Sequence, residues 1–97
     1  MTSSGIPEAK FPLGQLLITP GAAVAFERTG EQLLSYVGRH VVGDWGELDT
    51  HDVEENEFSL QRGLRLLSRY TLRDGTAIWI ITEADRSATT VLLPAEY

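Results

Sequence analysis

Ninety-seven residues, 42% of them hydrophobic, are enough for one soluble domain and too few for two independent cores. The chain has no cysteine, which excludes disulfide scaffolds, thiolate metal sites and cysteine nucleophiles. Eight Lys+Arg against 14 Asp+Glu leave a net charge of −6, so like-charge repulsion disfavours direct binding to nucleic acid or to an anionic membrane and makes a basic protein the better partner.

Residues 1–10, MTSSGIPEAK, hold one lysine and no apolar run. They lack the basic start and hydrophobic middle of a signal peptide and read as a flexible lead-in to a single domain over residues 11–97. The run GQLLIT at 14–19 is short, apolar and stopped by Pro20-Gly21, as a buried strand would be. Thr19 as N-cap, Pro20 in the first helical position and Gly30 after the last turn then delimit a helix over residues 20–29, with Ala23, Val24 and Phe26 partly inward. In EQLLSYVGRHVV, Leu33, Leu34, Val37 and Val41 follow amphipathic helical spacing up to Gly43. GDWGELD is a turn-rich connector carrying Trp45. Asp49 or Thr50 caps a third helix over residues 50–62, docked by a narrow stripe of Val53, Phe58 and Leu60.

The last third changes period. LLSRYTLRDGTAIWIIT alternates on either side of Asp74-Gly75, a hairpin signal that pairs strands 64–73 and 76–82. The polar loop EADRS turns the chain into a third β-rich run, ATTVLLP. No run approaches the ~20 apolar residues of a membrane helix. The resulting fold class is α+β: a four-stranded, largely antiparallel sheet in the order β-α-α-α-β-β-β along the chain, with helices packed on one face and the first strand added at an edge. Leu16, Ile18, Leu66, Trp79, Ile81 and Leu92 are the candidate core.

Five possible metal ligands, His40, Asp44, Asp49, His51 and Asp52, lie within thirteen residues, yet their spacing fits no closed metal motif. His40 reads instead as a charge at a helix C-terminus, and the aspartates as caps. Phosphate-cradling glycine loops and a serine elbow are both missing from the sequence, so neither a cofactor nor a metal is expected. Asp44 to Glu57 contains seven carboxylates and no Lys or Arg. One reading is a partner-binding surface of Trp45, Glu47, Asp52, Glu54, Glu55 and Glu57, whose charge row imitates a nucleic-acid backbone and enters a cationic groove of another protein. The other reading is a solvated helix, with Trp45 as a lid on the core.

The alternative site is the loop at residues 82–87, where Glu83, Asp85, Arg86 and Ser87 offer a carboxylate- or phosphate-binding cluster or, more simply, an Asp/Ser-assisted turn. Arg65, Arg69 and Arg73 share one face of a strand and, with Arg62, form a weak basic stripe on the solvent side. An uncovered edge strand leaves the chain a monomer or a homodimer.

The stretches GDWGELD, NEFSLQRG and, most specifically, WIITEADRSATTVLLPAEY resemble a family of small bacterial proteins carried on plasmids and other mobile elements, over nearly all of residues 13–97. The resemblance implies a bacterial accessory protein, for example one acting against a host defence nuclease or within a toxin–antitoxin pair; the carboxylate run beside Trp45 and the lack of a catalytic signature make the expectation a non-enzymatic, cytoplasmic protein that works by protein–protein binding. The resemblance transfers no catalytic residue. The order of elements is also similar to that of the RelE-type ribonuclease toxins, which implies as the alternative a small RNA-cleaving enzyme using the 82–87 loop. Those toxins are strongly basic, whereas this chain is acidic and has no aromatic platform among clustered Lys or Arg.

Overall fold

A computed structural model describes residues 8–97. Strand β1 (Gln15–Ile18) is followed by helices α1 (Pro20–Thr29), α2 (Leu33–Val41) and α3 (Thr50–Arg62). Strands β2 (Leu66–Thr71), β3 (Ala77–Thr82) and β4 (Ala88–Leu92) then complete the sheet, and a 3₁₀ turn spans Pro94–Glu96. The sheet order is β1-β4-β3-β2. The three C-terminal strands form an antiparallel meander, and β1 joins β4 in parallel, so the sheet is mixed. Residues 1–7 of the expected lead-in lie outside the described residues. At its end the Lys10 N–H donates to the Val41 carbonyl at 2.8 Å, which ties this segment to the end of α2.

The local signals for the helix starts act as their chemistry requires. Thr19 caps α1 by accepting from the Ala22 N–H, with Pro20 in the first turn. Asp49 caps α3 by accepting from the Asp52 N–H at 2.8 Å.

Strand alternation divides the sheet into two faces. Leu66, Ser68, Tyr70, Ile78, Ile80, Thr82, Thr89 and Val91 point to the helices and are fully buried. Ala22, Ala25 and Phe26 of α1 and Val37 of α2 complete that core, while Phe11 and Trp45 pack with Leu66 in a second cluster beneath α3. The opposite face carries Leu67, Arg69, Trp79, Ile81, Thr90 and Leu92. Tyr97 folds back over this face, its ring edge-on to Trp79 at 5.6 Å.

Four expectations about burial are corrected. β1 is an edge strand with one neighbour, so Leu16 and Ile18 stay 37% and 40% exposed and do not form core. Ile81 and Leu92 are buried as expected, but on the face away from the helices, where Trp79 is only half-buried. The inward side of α1 is Ala22, Ala25 and Phe26, and it leaves Ala23 and Val24 exposed. On α3 the docking stripe is Val53, Asn56, Glu57 and Leu60, an i, i+3, i+4, i+7 set from which Phe58 is excluded.

Asn56 explains why a polar residue sits in that stripe. Its side-chain amide donates to the Leu67 carbonyl and its oxygen accepts from the Leu67 N–H, so it pairs with the outer edge of β2 as a further strand would. Two residues along, the Arg69 N–H donates to the Trp45 carbonyl and the Arg69 carbonyl accepts from Glu47 N–H. Gly46 between them has φ +77, and a Cβ there would lie 1.9 Å from the Arg69 oxygen, so only glycine permits this approach. Asn56→Ala, which leaves both Leu67 groups unpaired, is expected to destabilise the fold by about 2 kcal/mol. Urea unfolding measures this, and Asn56→Asp should recover little because it restores only one of the two bonds.

Candidate functional site

The acidic segment divides in space. Asp44 pairs with Arg39 at 2.7 Å, and that hydrogen bond holds its carboxyl below the usual range. Asp49 is consumed as a cap, Glu47 accepts from the Thr71 hydroxyl, and the half-buried Glu57 accepts from the Trp45 indole N–H at 2.8 Å. Asp52, Glu54 and Glu55 face outward, and among the described residues only Glu55 meets a basic group, His51 at 3.3 Å one turn back.

Of the six candidates Trp45, Glu47, Asp52, Glu54, Glu55 and Glu57, the three on the outer face of α3 are therefore grouped. Trp45 is 4% exposed, stacked against Phe11 and edge-on to His40, so it closes the core and presents no anchor to a partner.

Phe58 supplies the exposed aromatic in its place. It stands 53% exposed in a shallow groove between His51, Glu54, Glu55 and Ser59, with the Arg62 guanidinium 4.8 Å above its ring. The signal was present in the spacing. At about 100° per residue, Phe58 lies roughly 140° from Val53 and 160° from Leu60 around the helix, far outside a stripe anchored on those two.

The 82–87 loop is a tight turn whose polar groups are committed to it. Arg86 adopts φ 60, and its Nη1 donates to the carbonyls of Leu64, Glu83 and Ala84, while its guanidinium lies 5.6 Å from the Phe11 ring centre. Asp85 accepts from the Ser87 N–H, and this contact with Ser87 lowers its pKa. Glu83 reaches Arg65 at 3.7 Å. The basic stripe disperses as well: Arg65 donates to the Tyr97 hydroxyl and Arg73 to the Thr29 carbonyl, leaving Arg69 exposed.

The most unusual polar group is His40, fully buried in the last turn of α2. Its Nδ1 is 2.6 Å from Ser68 Oγ and its Nε2 2.8 Å from Thr82 Oγ1, which in turn meets Thr89 Oγ1 at 2.8 Å. The Thr89 hydroxyl donates to the Leu13 carbonyl. That last bond orients the chain: Thr82 must donate to Thr89, so Nε2–H donates to Thr82, and in the neutral ring Nδ1 then accepts from Ser68. A neutral imidazole satisfies the chain.

Burial, with a smaller contribution from the Arg86 charge, pushes the His40 pKa down to about 4. The expectation of a protonated His40 at the helix end is thus overturned, because the ring turns into the core. A serine hydroxyl on a histidine nitrogen is also the geometry of an activated nucleophile, but both groups are shut away from solvent. Among the described residues no three of His, Asp or Glu converge to hold a metal ion, and no helix is long and apolar enough to cross a membrane.

Comparison of the chain with protein-family models, with curated proteins and with solved structures finds no match.

The histidine gives the fold a pH dependence of definite sign. His40 titrates near 6.5 when unfolded and near 4 when folded, so the unfolded chain binds more protons between these values. Stability is complete above pH 6.5 and falls by about 3 kcal/mol as the pH drops to 4. Chemical denaturation across pH 4–7 should trace this fall, and His40→Gln should flatten it while lowering stability at pH 7.

Proposed function

We propose that this chain is a non-enzymatic binding protein that captures a basic protein on the outer face of α3. The observation that carries the reading is Phe58, a large aromatic left 53% exposed beside Glu54 and Glu55 on a helix whose other apolar residues, Val53 and Leu60, are turned inward and half-buried. An exposed ring collared by carboxylates combines an anchor for an apolar or cationic pocket with charges that steer a positive surface toward it. Asp52 extends the negative surface toward the N-terminus of α3, and Glu47 continues it from the preceding connector.

The complementary surface is a cationic groove, of the kind a nucleic-acid-binding or defence protein presents to a phosphate backbone. A bacterial, cytoplasmic accessory role of this sort, the one expected from the sequence resemblance of residues 13–97, is part of the same proposal. Commitment of Arg86 to backbone carbonyls weighs against the enzymatic alternative at the 82–87 loop, since that cation is not free to hold a substrate.

Tagged wild-type chain is expected to capture a basic protein from bacterial lysate at low salt and to release it at high salt. Glu54→Gln, Glu55→Gln and Phe58→Ala combined should abolish capture with little change in thermal unfolding, because none of the three packs into the core. Glu57 is left intact in this variant, since its bond to Trp45 is part of the fold. A partner retained equally by the triple variant, or retention indifferent to salt, rejects the reading.

A further inference from the structure

The two edges of the sheet are treated oppositely. Along β2, Asn56 takes the outward backbone groups of Leu67, the Trp45–Glu47 connector takes those of Arg69, and Glu31 accepts from the Arg73 N–H. Along β1, the Gln15 and Thr19 N–H groups donate inward to Ser87 and Val91 of the β4 side. Alternation then turns the N–H and C=O of Leu16 and Ile18 outward. Among the described residues nothing pairs with them, and Leu16, Leu17 and Ile18 are 37%, 41% and 40% exposed.

Natural edge strands are blunted by shortness, charge, proline, a bulge or a cover. β1 is short, at four residues, but has none of the others within them. The surrounding sequence is uncharged from Phe11 to Phe26, the longest such stretch in a chain of net charge −6.

From this asymmetry we infer that β1 pairs with β1 of a second copy, antiparallel about a two-fold axis, to join two sheets into one of eight strands. A second copy is the occupant that the charge placement favours. Two chains of −6 repel, and a strand without charge of its own, with Glu96 at its end held by Thr19 and Gly21 and acidic α3 the width of the sheet away, is where that repulsion is least. The outward groups also set the register. Leu16 of each copy exchanges two hydrogen bonds with Ile18 of the other, four bonds in all, and the two Leu17 residues face each other across the axis as a non-hydrogen-bonded pair. Leu16 then meets Ile18 on the helix side, which covers the apolar side chains that β1 leaves exposed. Four residues of strand bury less than the ~1,600 Å² of a standard interface, so the dimer dissociates on dilution.

Sedimentation velocity of the full chain over a range of concentrations tests this with two variants. Wild type should shift from monomer to dimer as concentration rises. Leu16→Pro deletes only the outward N–H and should hold the chain monomeric while the circular dichroism stays native. Leu17→Cys provides the sole cysteine of its chain, placed ~4.5 Å in Cα separation from its symmetry mate and within the ~4.4–6.8 Å that a disulfide spans. Mild oxidation should link it into a covalent dimer much faster than Gln61→Cys on α3.

A wild type that stays monomeric throughout, a dimer indifferent to Leu16→Pro, or equal oxidation of the two cysteine variants overturns the proposal. If Leu16→Pro fails to fold, the cysteine pair decides. The α3 reading stands or falls separately, since the Glu54, Glu55 and Phe58 variant leaves the β1 edge intact and Leu16→Pro leaves the acidic face intact.

Discussion

One directional chain of hydrogen bonds, from the Ser68 hydroxyl through both nitrogens of His40 to Thr82, Thr89 and the Leu13 carbonyl, crosses the whole sheet beneath the helices. It joins α2 to β2, β3 and β4 and reaches the segment leading into β1, so four separate elements share one proton arrangement. A buried polar group without a partner costs free energy, whereas a fully satisfied network costs little and admits few alternatives. Each member accepts and donates as its neighbours require, and the structure leaves no buried side-chain polar atom unpaired among the described residues. A shift of β4 by one residue against β3 would take Thr89 away from Thr82 and turn it to the other face.

The same network accounts for the aromatic packing around it. Phe11 stands edge-on to His40 at 5.3 Å and Trp45 at 5.7 Å, sealing the imidazole from water. Trp45 is in turn held by Glu57, which draws α3 against the sheet, and Asn56 on the next position of that helix occupies the β2 edge. The acidic helix is thus docked largely by polar contacts on its inner side. That docking frees its outer side from any packing duty, and it is there that Phe58, Glu54 and Glu55 collect.

Element order, the bounds of α1 and α3, and the Asp74-Gly75 hairpin were legible because each rests on local chemistry: a cap, a proline, a turn dipeptide. The identity of the core was legible only in part. Alternation tells that a strand has two faces, but not which one a helix covers, so Trp79, Ile81 and Leu92 were grouped with Leu66 although they point the other way. β1 read as buried because three apolar residues in a row, Leu16 to Ile18, have the composition of a central strand. Its place beside β4, with no second neighbour, is a long-range fact.

Polar residues in the interior were hardest to read for the same reason. His40, Ser68, Thr82 and Thr89 lie far apart in sequence, and nothing short of the β2–β3–β4 register reveals that they meet. At the candidate site the acid run was visible. Its division into caps, internal partners and free carboxylates depended on where Trp45 and Arg39 went.

An apolar replacement of the entire network, of similar volume, need not cost much stability, since satisfied buried hydrogen bonds add little net free energy. What it would lose is uniqueness. α1 and α2 meet the sheet largely through small or aliphatic side chains such as Ala22, Ala25 and Val37, which tolerate sliding. The imidazole tolerates neither sliding nor rotation, because either movement orphans a nitrogen on one side and a hydroxyl on the other. In a domain of this size, with one face of its sheet only partly covered, a single polar peg that permits one arrangement holds the helix layer in register.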